Sequence, residues 1–215
     1  MAWLIGVDEA GRGPVLGSMF VAGIGVRNRK ALPSGLRDSK VLAPSERAEF
    51  ADRLENTRGI EVAIAEITAS EIDAAPGRLN DLTRRGHHAV IQTLYHPQDT
   101  HRCIVDACDV DADRWQRSLQ ANLHPDISIE ARHGADESEP IVSAASILAK
   151  QSRETHVDML RSRYGEIGSG YPSDRRTRAF LKQYLGEHSN FPSCTRTTWS
   201  TCADVRASVE QTSLG

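Results

Sequence analysis

Two strand-like segments joined by a short glycine-rich turn limit the folds open to this chain more than any other feature. Residues 3–10 (WLIGVDEA) and 17–26 (GSMFVAGIGV) are rich in apolar and β-branched side chains. Gly11 and Gly13 allow the intervening backbone to reverse, because glycine adopts positive φ without a steric penalty. We therefore predict two strands paired across this turn.

Further strands and helices alternate along the rest of the chain. Apolar and polar residues alternate over 60–68, and apolar runs recur over 101–110 and 126–136, so three more strands are predicted. Helices are predicted from Pro44 onward, over 70–94 with an interruption at Pro76-Gly77, over 139–165 and near 175–187. This order predicts an α/β fold with a mixed five-stranded central sheet flanked by helices.

Length, charge and cysteine usage are those expected of a soluble cytoplasmic protein. The 215 residues suit one domain with a small appendage, and residues 188–215 are predicted to form a helical tail. The net charge of -3 gives no overall signal for nucleic-acid binding. The four cysteines form no C-x-x-C pair, which favours reduced thiols over zinc or disulfide bonds. No apolar run reaches the length of a membrane span.

Acidic residues follow three of the predicted strands. Asp8, Asp106 and Asp136 each lie at or just past the end of an apolar run, and Glu9 follows Asp8 directly. Ligands bind where strands end in open α/β sheets, and clustered carboxylates repel one another unless cations bind them. Ligands that are all oxygen suit Mg²⁺ or Mn²⁺, and two such ions catalyse phosphoryl transfer. Any one of these acids alone is equally typical of a helix N-cap or a turn.

Adjacent acids on a flat strand point to opposite faces of the sheet. We expect the glycine turn to bend the chain just after Glu9, so that the alternation need not hold there. Glu9 then reaches the same metals as Asp8, through its side chain or its main-chain oxygen.

Two glycine-rich loops and a basic stretch are typical of phosphate contacts. The N–H groups of Gly11-Arg12-Gly13 could hold a phosphate or ribose hydroxyl, and Tyr171 in GSGYPSD could stack on a sugar or cover the core. Residues 145–182 contain eight Lys or Arg and four acids, which fits a phosphate-tracking face or a solvated helix surface. The DSK segment at 38–40 is a further phosphate contact or a loop before a helix.

Together these segments resemble the ribonuclease HII family of type 2 ribonucleases H, and its archaeal branch most. The matching segments stand in the family's order as GVDEAGRGP, DSK, IVDACDVD, AD followed by IVSAASILAK, and GSGYPSD. The resemblance runs from about residue 4 to 185, with a weaker match at TTWST. It implies a ribonuclease H-like catalytic domain over 1–187 and a small helical C-terminal extension over 188–215.

The resemblance also implies an activity and a set of site residues. Members of the family cut the RNA strand of RNA–DNA hybrids and incise 5′ of single ribonucleotides in duplex DNA, in RNA primer removal and ribonucleotide excision repair. By this resemblance Asp8, Glu9, Asp106 and Asp136 hold two Mg²⁺ or Mn²⁺ ions. Gly11, Arg12 and Gly13 sense the ribose 2′-hydroxyl, and Tyr171 stacks on the next sugar. The remaining expected substrate-binding residues are Ser39, Lys40, Ser143, Ser146, Lys150 and Arg153.

The sequence departs from the family pattern at a few positions. His133-Gly134 stands where the family commonly has His-Lys, and Arg175 replaces the usual proline after GYPSD. Gln211 and Leu214 match the first half of a sliding-clamp motif, but residues 212–215 contain no aromatic anchor, so we expect at most a weak clamp contact by a monomer. Three other functions stay open: a junction resolvase of the same fold, a non-catalytic nucleic-acid-binding module and a small-molecule phosphatase.

Overall fold

A computed structural model describes residues 2–36 and 42–213 of the chain. The protein divides into two compact units. The first unit comprises Met1–Ala10, Phe20–Glu66 and Asn80–Ser152, and the second comprises Gly11–Met19, Ile67–Leu79 and Arg153–Gly215. The predicted boundary near residue 188 stays a prediction. None of the helices in the described part of the chain has the length and apolar composition that a membrane span requires.

Five strands form one mixed sheet in the order β3-β2-β1-β4-β5. The strands are β1 (Ala2–Ala10), β2 (Met19–Val26), β3 (Ile60–Ile67), β4 (Thr100–Asp106) and β5 (Ile127–Arg132). β1 lies in the centre, antiparallel to β2 and parallel to β4, and β4 is parallel to β5. The predicted five strands and mixed directions are confirmed, although the last two end several residues earlier than predicted.

Eight α-helices and one 3-10 turn (Arg29–Ala31) accompany the sheet within the described residues. The α-helices are α1 (Pro44–Asn56), α2 (Ala69–Asp73), α3 (Leu79–Thr93), α4 (Ala112–Gln120), α5 (Ala135–Ser138), α6 (Pro140–Tyr164), α7 (Arg175–His188) and α8 (Ser200–Ser213). The predicted helix over 70–94 is two helices, because the chain breaks at Pro76-Gly77. Sequence reasoning missed α4, whose N-cap Asp111 accepts a hydrogen bond from the N–H of Arg114.

Helices cover both faces of the sheet in the first unit. On one face, Leu4, Ala22 and Ile24 pack with buried residues of α1 and of the first half of α6. This half of α6 is rich in small side chains, and it lies so close to β1 that a Cβ on Gly6 would be 2.5 Å from the Ile141 carbonyl. On the other face, a Cβ on Gly23 would touch Val90 of α3 and Leu94, which directly follows that helix.

The second unit has a separate apolar core. Val15 and Leu16 pack with residues of the second half of α6, of α7 and of α8, among them Val157, Leu181 and Val205. The predicted helical character of the C-terminal tail agrees with α8.

Candidate active site

Asp8 and Glu9 lie on opposite faces of β1. The strand pairs with β2 through Ala10, with Asp8 opposite Ala22 and Glu9 opposite Val21. The expected break in alternation after Glu9 is therefore wrong, since regular antiparallel pairing keeps successive side chains on opposite faces. Gly11, with φ of 90°, begins the turn only after this pairing ends.

The pKa of the Asp8 carboxyl is strongly raised. Burial, the negative charge of Glu9 and, more weakly, that of Asp106 raise the pKa of Asp8 to about 8, and the adjacent Ser146 hydroxyl partly opposes this rise. The side chain is 6% exposed and its Oδ1 accepts a hydrogen bond from the Glu9 N–H at 2.8 Å. A buried carboxyl beside two others costs free energy that a cation would relieve.

On the opposite face of β1 from Asp8, the Glu9 side chain contacts α3. Its Oε2 lies 3.0 Å from Nε2 of His87, and both side chains are almost fully buried. The His87 ring also makes an edge contact with Trp115 of α4, with ring centroids 5.4 Å apart. This pair fixes the Glu9 carboxylate, and no local pattern in the sequence pointed to His87.

Asp106 and Asp136 lie around the start of α5. Asp106 ends β4, and its Oδ1 accepts a hydrogen bond from the N–H of Ala135 at 2.7 Å. Asp136 was expected just past the fifth strand, but β5 ends at Arg132 and Asp136 is a residue of α5. Gly134 adopts φ of 65° as the N-cap of that helix, a conformation that favours glycine.

The four acids fit divalent cations by their chemistry. Their donors are all carboxylate oxygens, which Mg²⁺ and Mn²⁺ prefer, and the raised pKa of Asp8 reflects its burial and the negative charge crowded around it. Within residues 2–36 and 42–213, however, no three His, Cys, Asp or Glu side chains converge into a ready-made metal site. The structure brings Asp8, Glu9 and Asp106 near one another, and it places Lys150 Nζ 4.0 Å from Asp136.

The glycine turn (residues 11–14) and the tyrosine loop (residues 168–174) lie together in the second unit. A Cβ on Gly13 would be 3.6 Å from the Tyr171 ring, and the Gly170 carbonyl accepts hydrogen bonds from the N–H groups of Val15 and Leu16. Tyr171 is 40% exposed, so it does not cover the core. Sequence reasoning singled out both loops, and the structure brings them into contact.

Arg153 supports the tyrosine loop. Its guanidinium lies 4.9 Å from the centre of the Tyr171 ring, and its Nη2 donates a hydrogen bond to the Ser169 carbonyl at 2.7 Å. Asp174 stabilises the same loop from the N-cap of α7, and the hydrogen bond from the Ser169 N–H is the largest influence that lowers its pKa. Arg153 was predicted as a substrate contact, and its described contacts are with this loop.

The other predicted substrate residues are placed differently. Ser143 and Ser146 are both buried: the Ser146 hydroxyl lies beside Asp8, and the Ser143 hydroxyl donates to the carbonyl of Leu36. Ser39 and Lys40 lie outside the described residues. Several arginines of the basic stretch are in ion pairs, including Arg161 with Asp158 and Arg178 with Asp204.

Arg196 is a second residue that sequence reasoning missed. It is fully buried, and its guanidinium hydrogen-bonds the carbonyl oxygens of Gly11, Arg12 and Gly17. Burial, aided by the charge of Arg153, lowers the pKa of Arg196 to about 10, so the side chain stays charged at neutral pH. The only signal in the sequence was the weak match at TTWST, which begins one residue later.

A mixed sheet of this strand order, with buried carboxyls at the end of its central strand, defines an enzyme of the ribonuclease H-like class. The chain belongs to the ribonuclease HII family, which matches residues 5–202. It is 47% identical over 214 residues to Ribonuclease HII of Natronomonas pharaonis, covering 100% of this chain and 99% of that protein. Family membership makes it a ribonuclease H endonuclease of RNA–DNA hybrids.

Solved structures agree with this assignment. The ribonuclease H2 from Pyrococcus horikoshii OT3 superposes with a TM-score of 0.88 at 34% identity, covering 97% of this chain and 99% of that chain. The ribonuclease HII in the PCNA:RNase HII complex from Archaeoglobus fulgidus superposes with a TM-score of 0.81 at 33% identity, covering 91% and 94%. The predicted fold class and the resemblance to archaeal ribonuclease HII are confirmed.

Proposed function

We propose that this ribonuclease H also incises duplex DNA on the 5′ side of single embedded ribonucleotides, leaving 3′-hydroxyl and 5′-phosphate ends. The observation that carries the proposal is the buried Asp8 carboxyl, crowded by Glu9 and Asp106 at the end of the central strand. The cellular roles that follow are RNA primer removal and ribonucleotide excision repair in the cytoplasm.

The metal ligands in this proposal are Asp8, Glu9, Asp106 and Asp136. These residues would hold two Mg²⁺ or Mn²⁺ ions, which would activate a water and stabilise charge on the leaving 3′ oxygen. The protein prepares the ligands: His87 orients the Glu9 carboxylate, and the Ala135 N–H orients that of Asp106. Glu9 contributes its carboxylate or its main-chain oxygen.

Recognition of the ribonucleotide falls to the glycine turn and the tyrosine loop. The 2′-hydroxyl is the group that distinguishes RNA from DNA at one site, and the backbone of Gly11-Arg12-Gly13 offers N–H groups for it. Tyr171, held by Arg153, stacks on the following deoxyribose. Lys150 and Lys182 contact phosphates without reading sequence. The other proposed substrate contacts are Ser39, Lys40, Ser143 and Ser146.

The protein acts as a monomer in this proposal, with a weak contact to the sliding clamp. The similar ribonuclease HII from Archaeoglobus fulgidus forms a complex with PCNA, which supports such a contact. Gln211 lies within α8, and Leu214 lies outside the described residues.

Cleavage of two matched duplexes tests the proposed activity. A duplex with one ribonucleotide should be cut 5′ of that ribonucleotide in Mg²⁺ or Mn²⁺, and the all-DNA duplex should stay intact. Asp8→Asn should reduce the rate by about a hundredfold or more with binding retained, since loss of a residue that only hydrogen-bonds a metal ligand already costs about 10- to 100-fold. The exposed Asp52→Asn on α1 is the control and should cleave normally. Equal cutting of both duplexes would contradict the proposal.

A further inference from the structure

Arg196 lies behind the glycine turn and binds its carbonyl oxygens. Its Nη2 donates to the Gly11 oxygen at 2.6 Å, its Nη1 to the Arg12 oxygen at 2.8 Å and its Nε to the Gly17 oxygen at 2.9 Å. The planar guanidinium therefore joins both ends of the loop that connects β1 to β2. The arginine guanidinium suits this arrangement because its N–H donors are held in a fixed plane, so that one side chain can bind three oxygens.

The next residues of the same segment extend the contact. Trp199 packs against Arg196, with 5.3 Å between the guanidinium carbon and the ring centre, and its Nε1 donates to the Gly13 carbonyl at 3.4 Å. The carbonyl groups of Gly11, Arg12 and Gly13 thus all point to the segment that contains Arg196 and Trp199. Because a trans peptide holds its C=O and N–H in opposite directions, the N–H groups of Arg12 and Gly13 point away from Arg196.

Main-chain hydrogen bonds place Arg196 beside the turn. The N–H of Gly17 donates to the Cys194 carbonyl at 2.8 Å, and the N–H of Arg196 donates to the Val15 carbonyl at 2.8 Å. These bonds form a short antiparallel bridge within the second unit. The main chain of Arg196 is therefore held beside the turn by bonds that do not involve its side chain.

Asp73 of α2 fixes the other side of the segment. Its two carboxylate oxygens accept four hydrogen bonds, from the N–H and the hydroxyl of both Thr197 and Thr198, at 2.7 to 3.1 Å. The negative charge of the Asp73 carboxylate also interacts with the buried Arg196 guanidinium. Arg196 is thus anchored on two sides, which leaves the turn as the element that it positions.

We propose that Arg196 is a positioning residue for ribonucleotide recognition: it aims the N–H groups of Arg12 and Gly13 at the ribose that the enzyme reads. This role rests on the proposed 2′-hydroxyl recognition by the turn. Arg196 itself is buried and does not contact the substrate. A lysine at this position keeps the charge but offers one donor centre in place of the guanidinium, so it cannot bind all three oxygens in the same geometry.

The test compares Arg196→Lys and Arg196→Met in the full chain with Arg178→Lys, a partly exposed arginine of the same unit. Fluorescence anisotropy in EDTA measures binding of a single-ribonucleotide duplex and of the matched all-DNA duplex. Loss of the guanidinium donors should reduce the preference for the single-ribonucleotide duplex over the all-DNA duplex by about tenfold. The affinity for the all-DNA duplex should change by less than about twofold. Arg178→Lys should keep the preference of the wild type.

Hydrogen exchange gives a second measurement that needs no substrate. The N–H groups of residues 15–18 should exchange faster in both Arg196 variants and not in Arg178→Lys. An unchanged preference with unchanged exchange would overturn the proposal, and so would equal weakening of both duplexes, which indicates a general structural role. If the wild type shows no preference, the proposed function fails, and exchange alone decides whether Arg196 holds the turn. If Arg196→Met does not fold, the anisotropy and hydrogen-exchange measurements on Arg196→Lys decide the outcome.

Discussion

Gly6 lies where the centre of β1 meets the N-terminal part of α6. A Cβ at this position would be 2.5 Å from the carbonyl carbon and oxygen of Ile141 and 2.8 Å from the N of Val142. These are backbone atoms, so no side-chain rotation can relieve the contact. Gly6→Ala therefore requires α6 to move away by about 1 Å to restore ordinary van der Waals distances.

The cost of this movement follows from the packing around it. Overpacking a core typically costs about 1–3 kcal/mol, and a clash with helix backbone belongs at the top of that range, about 3 kcal/mol. Total stabilities are only about 5–15 kcal/mol, so the loss is readily measured. Asp8 lies two residues along the same face as Gly6, and Ser146 belongs to the same helix, so cleavage should fall as well.

Urea unfolding measures the change, with Gly186→Ala in α7 as the control. Among the described residues, no heavy atom beyond the neighbouring backbone of its own helix lies within 4 Å of a Cβ on Gly186, and this variant should gain about 0.5–1 kcal/mol from the smaller backbone entropy of its unfolded chain. Gly6→Ala should lower the urea midpoint with little change in the slope. A Gly6→Ala protein as stable as the wild type, beside a normal control, would refute the view that the β1–α6 spacing requires glycine.

Two carboxyl groups should give opposite pH dependences of stability. Folding without metal raises the pKa of Asp8 from 3.8 to about 8, so the free energy of unfolding should decrease as pH rises across this range, and Asp8→Asn should remove the slope in urea titrations with EDTA. Although partial burial opposes it, hydrogen bonds from Thr197 and Thr198 lower the pKa of Asp73 below 3.8. Asp73→Asn should therefore cost about 1 kcal/mol at neutral pH and progressively less as pH falls below about 4. Profiles parallel to the wild type for either variant would contradict these assignments.

Local sequence patterns predicted much of the fold. Alternation and apolar runs located five strands, and the proline at 44 and the break at 76–77 located helix ends, because backbone preferences act over a few residues. Helix α4 escaped detection because its short, mostly polar sequence buries only Trp115 and Leu119. The position of Asp136 in α5 was likewise missed, since a four-residue helix has no period to detect.

The acids, the glycine turn and Tyr171 could be selected from the sequence, because charge at strand ends and glycine in tight turns are local chemical signals. The residues that contact these groups could not be selected in this way. Glu9 meets His87 at a separation of 78 residues, and Arg196 reaches the Gly11 carbonyl across 185. Alternation along β1 sends Asp8 and Glu9 to opposite faces, but only the packing of helices on the sheet decided that Ser146 meets one and His87 the other. Such contacts form when distant segments share a core, so no short stretch of sequence contains them.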